Sequence, residues 1–504
     1  MRWVVRVSVA GVEWWRSAVI YQIYPRSFAD SNGDGVGDLP GITGRLSYLA
    51  DLGVDAVWLS PFYRSPMVDG GYDVADYCDV DPVFGTLRDF DDLLAEAHRV
   101  GLRVIVDIVP NHSSDRHPWF QQGLRDRYIF AEGRGDGPPN DWQSLFGGPA
   151  WTRVADGHWY LHLFDPGQPD LNWRNPQVGK EFDAILRFWL DRGVDGFRVD
   201  VAHGMVKADG LPDVAGQAVL PYFDQEEVHE IYRGWRRILD SYPGQRMAVA
   251  EVFDSTPERV ARYVAGDELH QAFNFDFLEA PWEPETLRRV IDASIEAARP
   301  VGAPATWVLS NHDRQRHVTR FGDGVVGLRR ARAAALLMLG LPGSAYIYQG
   351  EELGLPEVLD LPDELRLDPQ RIRSGGKLTG RDGCRVPLPW EGDAPPFGFG
   401  PSEQTWLPMP REWAAATVEA QRDDPDSMLN LYRRALRLRR PAHRLTWRPA
   451  PEGVLCFETE QLLVAANLSG SAVPLPGPPI LASSPVDELL PPDTTVWLPR
   501  DTAG

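Results

Sequence analysis

Cysteine is scarce in this chain. Cys78, Cys384 and Cys456 are the only 3 in 504 residues, they lie far apart, and no Cys-x-x-Cys pair occurs. An odd, scattered set offers no disulfide framework and suits a reducing compartment, so a cytoplasmic location is expected. Positive charge is also short: 51 Lys and Arg stand against 72 Asp and Glu, a formal net charge of −21. The basic footprint of a nucleic-acid partner is therefore missing. No apolar run reaches the roughly 18 residues of a membrane span. The apolar start, 1–11, is too short and lacks the small-residue cleavage site of a signal peptide, so it reads as an extension.

What is present is the composition of an ordinary globular protein, with 43% hydrophobic and 24% charged residues, which excludes disorder. The length exceeds the about 250 residues of one barrel domain, leaving room for an appended domain. The 18 Trp are ambiguous: aromatic faces serve as platforms for sugar rings, and they also fill cores.

Short β-rich runs alternate with amphipathic helical patterns, which predicts a parallel sheet of βα units. Eight strands are expected, at 18–24, 56–60, 103–109, 196–201, 247–253, 272–277, 306–310 and 345–348. Between the second and third, the spacing of Phe90, Leu93, Leu94 and Ala97 predicts a helix over 86–100 with that face on the sheet. Two connections, 111–176 and 350–424, are too long for ordinary loops and are expected to be functional. The fold expected is thus α/β, a (β/α)8 TIM barrel over 12–110 and 177–442. A long loop subdomain, 111–176, follows strand 3, and a C-terminal β-domain spans 443–504.

In a parallel barrel the C-terminal strand ends converge on one face, where chemistry is done. Those ends read Asp107-Ile-Val-Pro-Asn111-His112, then Gly196-Phe-Arg198-Val-Asp200-Val-Ala-His203, then Glu251-Val-Phe, then Ser310-Asn311-His312-Asp313. A lone Asp at a strand end is usually a cap or turn former, and a buried Arg–Asp pair is often only structural. Several carboxylates gathered about one axis repel each other and raise each other's pKa, a cost that a scaffold without chemistry would avoid. Hydrolysis of a glycosidic bond with retention uses such a cluster, because it needs a carboxylate nucleophile beside a carboxylic acid.

These segments resemble the conserved regions of the α-amylase superfamily, and the resemblance runs from about residue 12 to the C-terminus. It implies that Asp200 is the nucleophile, Glu251 the general acid/base and Asp313 the stabiliser of the transition state. It also implies that His112, Phe164, Gln168, Arg198 and His312 contact the sugar. Asp69-Gly-Gly-Tyr72, Gln168-Pro-Asp-Leu-Asn-Trp173 and Arg385-Val-Pro-Leu-Pro-Trp390 are similar to segments of the exo-acting α-glucosidase branch. There Asp69 and Arg385 would clamp the terminal glucose and Tyr72 would stack beneath it; core packing is the alternative for Tyr72 and Trp173. The implied activity is a retaining α-glucosidase acting on short α-1,4-linked oligosaccharides. An oligo-1,6-glucosidase, or a sucrose isomerase or trehalose synthase type of transglucosidase, shares the same triad. Val201 is similar to enzymes that accept α-1,6 bonds, whereas the continuation from Ala202 to Lys207 is similar to bacterial maltose-cleaving enzymes.

After the first strand, Asp30-Ser-Asn32-Gly-Asp34-Gly-Val36-Gly-Asp38 sets oxygen ligands at alternate positions among glycines. The spacing is that of a calcium loop without flanking EF-hand helices, and the family carries Ca²⁺ or Mg²⁺ here, so a structural Ca²⁺ is expected. The oligomeric state stays open.

Overall fold

A computed structural model describes residues 13–217 and 219–500; the stretch read as an N-terminal extension lies outside them. Eight parallel strands form one sheet: β1 (Val19–Ile23), β2 (Ala56–Leu59), β3 (Arg103–Ile108), β4 (Gly196–Val199), β5 (Met247–Ala250), β6 (Gln271–Ala272), β7 (Thr306–Val308) and β8 (Ser344–Tyr348). Their order is β6-β5-β4-β3-β2-β1-β8-β7, so the sheet closes on itself except between β6 and β7. At that seam Thr306 Oγ1 donates to the carbonyl of Ala272.

The two-residue period of a strand divides the chain into two faces. Ile20, Ala56, Trp58, Ile105, Met247, Val249, Val308 and Tyr346 pack together inside the barrel. Their neighbours Val19, Tyr21, Val57, Val104, Val106, Ala248 and Ile347 join the larger core outside it. Continuing the inward parity one step beyond the apolar layer brings Gln22, Asp107 and Glu251 to the top of the barrel, with Arg198 and Asp200 two apart on the same side. The location of the polar cluster therefore follows from the pleat.

The outer ring comprises α1 (Leu39–Leu52), α2 (Leu87–Arg99), α3 (Pro176–Arg192), α4 (Val228–Asp240), α5 (Pro257–Arg262), α6 (Pro284–Val301), α7 (Gly324–Gly340) and α8 (Met428–Leu438). Helix α2 starts in a capping box, Thr86 accepting from Asp89 N and Asp89 accepting from Thr86 N, which satisfies two donors that a helix start leaves orphaned. It buries Phe90, Leu93, Leu94 and Ala97, as the spacing predicts. The expected sixth strand is shorter than read: β6 holds two residues, and Phe275–Glu279 is helical because the Asn274 side chain accepts from Phe277 N and caps a new turn.

The 111–176 stretch carries a three-stranded antiparallel sheet of Phe130–Ala131, Trp159–Leu161 and Trp151–Arg153. After α8 a five-stranded antiparallel sheet follows, including Val454–Glu458, Leu462–Asn467 and Thr494–Pro499. It lies against α7, whose residues 333–340 are all buried. A side chain at Gly340 would start 2.8 Å from Val464 Cγ2, so glycine permits that contact. Among the described residues no helix is long and apolar enough to cross a membrane.

Candidate active site

Arg198, 1% exposed, organises the top of the barrel. Its Nη1 lies 2.9 Å from Asp107 Oδ1 and 2.5 Å from Asp200 Oδ1, and its Nη2 lies 2.6 Å from Glu251 Oε1. One guanidinium thus faces three buried carboxyls. Burial pushes the Asp107 carboxyl up to about 7, against the pull of Arg198. Burial likewise pushes Asp200 upward, Arg198 opposing and Glu251 and Asp107 adding to the rise. Glu251 Oε2 accepts from Val201 N at 3.0 Å. Val201 has φ +42°, a rare conformation for a β-branched residue of the kind found at functional sites.

Asp313 sits in the opposite electrostatic setting. Burial works against its charge, but His312, Arg381 and Arg385 outweigh it and hold the carboxyl well below the usual range. Arg381 Nη1 and Arg385 Nη2 reach Asp313 Oδ1 at 2.9 and 3.0 Å. His312 Nδ1 is 2.7 Å from Gln22 Nε2. With the amide donating there, the ring proton lies on Nε2, 3.2 Å from Asp313 Oδ2. Tyr72 stacks on His312 at 5.2 Å and donates its hydroxyl to Asp107.

Asp69, Tyr72, His112, Phe164, Asp200, Glu251 and Asp313 line one cavity of about 200 Å³. That is below the about 300–1,000 Å³ typical of drug-sized ligands and is the scale of a single sugar ring. Arg198, Gln168, His312 and Arg385 stand behind its wall. Gln168 Nε2 donates to Asp69 Oδ2 at 3.1 Å, and Arg385 Nε donates to the carbonyl of His312 at 2.9 Å. The arginine that grips Asp69 is Arg381, at 2.7 Å, which also binds Asp368 at 2.7 Å and lies over the Phe146 ring. In place of the Asp69–Arg385 clamp, Arg381 closes this end of the cavity and Arg385 braces Asp313. Trp173 is a packing residue, donating to the carbonyl of Pro110 and lying against Phe182 and Trp235.

Sequence reasoning did not single out Gln22, Arg381 or Asp368. Gln22 was recoverable from its inward parity on β1; Arg381 precedes Arg385 by four residues, and nothing local marks which of the two meets Asp69. A larger cavity of about 400 Å³ lies between α5 and α6. It shares Phe253, Asp254 and Phe275 with the first but contains none of the three acids.

In the 30–38 loop, Asp30 Oδ1 accepts from Asn32 N and Gly33 N, Asn32 Oδ1 from Asp34 N, and Asp34 Oδ1 from Val36 N. Asp38 caps α1 by accepting from Gly41 N. Gly33 and Gly35 both have φ +86°, the wrap that glycine allows. Among the described residues no group of three or more His, Cys, Asp or Glu converges as a metal cluster. Asp30, Asn32, Asp34 and Asp38 carry oxygen donors of the kind that a hard cation takes.

The model of the family described as alpha amylase, catalytic domain, matches residues 22–447. A probable alpha-glucosidase of Rhizobium meliloti (strain 1021) is 46% identical over 465 residues, covering 85% of this chain and 83% of the relative. An oligo-1,6-glucosidase of Parageobacillus thermoglucosidasius is 37% identical over 474 residues, 85% and 84% of the two chains. The crystal structure of an alpha-glucosyl transfer enzyme, 39% identical, superposes with a TM-score of 0.85 over 97% of this chain and 98% of that one.

Proposed function

The chain belongs to the α-amylase catalytic-domain family, and from that premise we propose that it is a retaining, exo-acting α-glucosidase that releases α-glucose from short α-1,4-linked oligosaccharides. The observation that carries the reading is the small cavity in which Asp200, Glu251 and Asp313 meet, closed at one end by the Asp69–Arg381 pair. A pocket with a blind end accepts a chain terminus and rejects the middle of a polymer.

Asp200 and Glu251 hold adjacent nitrogens of one guanidinium. A retaining pair works at a separation of roughly 5–5.5 Å, against the wider roughly 6.5–9.5 Å of an inverting one. In the first step an Asp200 oxygen bonds to the anomeric carbon while the glycosidic bond breaks, and the proton passes from Glu251 to the departing oxygen. In the second, water loses a proton to Glu251, its oxygen bonds to the anomeric carbon, and Asp200 departs. Asp313, kept ionised by His312 and two arginines, stabilises the positive charge that develops on the sugar. Replacing water by a sugar hydroxyl would turn the same cycle into transglucosylation.

The 30–38 loop would hold a structural Ca²⁺ through Asp30, Asn32, Asp34, the Val36 carbonyl and Asp38, outside the chemistry. The free state of all three cysteines accords with a cytoplasmic location. Steady release of glucose from maltose and from p-nitrophenyl α-glucoside, with amylose a poor substrate, is the expected profile. Rapid shortening of amylose to mid-length fragments with little free glucose would contradict the closed pocket.

A further inference from the structure

Behind the sugar pocket lies a buried cation that takes no part in the steps above. Lys207, 1% exposed, directs Nζ at Asp170 Oδ2 (2.7 Å), Asn111 Oδ1 (2.8 Å) and the carbonyl of Gly204. An ammonium only donates, so the amide oxygen of Asn111 has to face it. Asp170 fixes the same orientation from the other side, its Oδ2 accepting from Asn111 Nδ2 at 3.1 Å. Gly204 leaves the space: a Cβ there would sit 2.9 Å from Asn111 Oδ1 and 2.7 Å from Val201 Cγ1.

With its oxygen committed, Asn111 turns Nδ2 toward Nδ1 of the next residue, His112, at 3.1 Å. That nitrogen can only donate, so Nδ1 must present a lone pair. Burial pushes the His112 ring down to about 4, so it is neutral at pH 7 and has one N–H, on Nε2. Nε2 is 3.2 Å from the carbonyl of Tyr72 and 3.1 Å from Gln168 Nε2. The amide of Gln168 is oriented in turn, since Oε1 accepts from Asp165 N and Nε2 donates to Asp69. Of the two side chains His112 lines the cavity, and the Tyr72 carbonyl is the acceptor that its Nε2–H meets there.

We propose that Lys207 and Asn111 are positioning residues that lock His112 in its Nε2–H tautomer, so that the ring turns an N–H donor, not an acceptor, toward the sugar pocket. The kinetic consequence rests on the α-glucosidase reading; the tautomer does not. Asn111→Asp separates this role from packing, because it keeps an acceptor for Lys207 but places an acceptor against Nδ1 and draws the proton there.

In ¹⁵N-histidine-labelled wild-type protein at pH 7, with His112 assigned through its loss in His112→Asn, the expected long-range coupling pattern is that of Nε2–H. Asn111→Asp should shift it to Nδ1–H and lower kcat/KM on p-nitrophenyl α-glucoside by roughly 50-fold or more. In a His112→Ala background the same substitution should cost less than about threefold, because its effect runs through the missing ring. An Nδ1–H pattern in the wild type, or equal losses in both backgrounds, overturns the proposal. Should Asn111→Asp fail to fold, the wild-type spectrum alone decides. A wild type without glucosidase activity would remove the functional reading and leave the spectrum to judge the tautomer.

Discussion

Arg381 is bonded to Asp69, Asp313 and Asp368 at once, so its removal leaves buried carboxylates without compensation. Breaking a buried pair from one side costs about 3–5 kcal/mol. Arg381→Ala is therefore expected to lower kcat/KM on maltose by roughly a hundredfold to a thousandfold. Arg381→Lys should recover little, because a point charge cannot span three carboxyls as a planar fork does. Steady-state kinetics on maltose check both, and a lysine variant with wild-type kcat/KM would contradict the assignment. The three acids were legible because each ends a strand in a recognisable segment. Arg381 was not, because the choice between two arginines four residues apart is made by the fold of a long loop. Asp107 stood in a quoted segment, yet its bond to Arg198 depends on the pairing of β3 with β4 and is invisible in one strand alone.

Among the elements, strands were the most legible, since most of the eight carry apolar residues and run on into polar ones. The exception is instructive: the alternating Phe273-Asn-Phe-Asp-Phe277 run after β6 reads as strand, but Asn274 caps a helical turn there, and a local side-chain hydrogen bond overrides β propensity. The 30–38 loop is the element whose role is most open to a direct check. Its carboxylates already serve backbone N–H groups, so the loop holds its turns through its own side chains, and an ion would add to them. Calcium is expected to raise the wild-type melting temperature, since saturation at a hundred times Kd adds about 2.7 kcal/mol. Asp34→Ala should abolish that rise while leaving the catalytic groups in place. Melting curves identical with calcium and with chelator would show that the loop is only a chain of Asp and Asn turns.

At the scale of the whole molecule, the pleat delivers the chemistry to one face and the long loops shape what reaches it. Asp69 and Tyr72 come from the loop after β2, Phe164 and Gln168 from the 111–176 stretch, and Arg381 and Arg385 from the loop after β8, segments far apart in sequence. Apart from Arg381, which was not read, their convergence was legible only through resemblance, since no periodicity encodes where an irregular loop returns. The double displacement through Asp200 binds these parts into one account. Glu251→Gln should still be glucosylated by α-glucosyl fluoride, whose leaving group needs little protonation, and should then retain the sugar because water lacks its base. Mass spectrometry of that variant after exposure to α-glucosyl fluoride is the most direct measurement. A glucosyl adduct on the peptide containing Asp200 is predicted; turnover of the fluoride with no adduct, or with the sugar on another residue, would contradict the account.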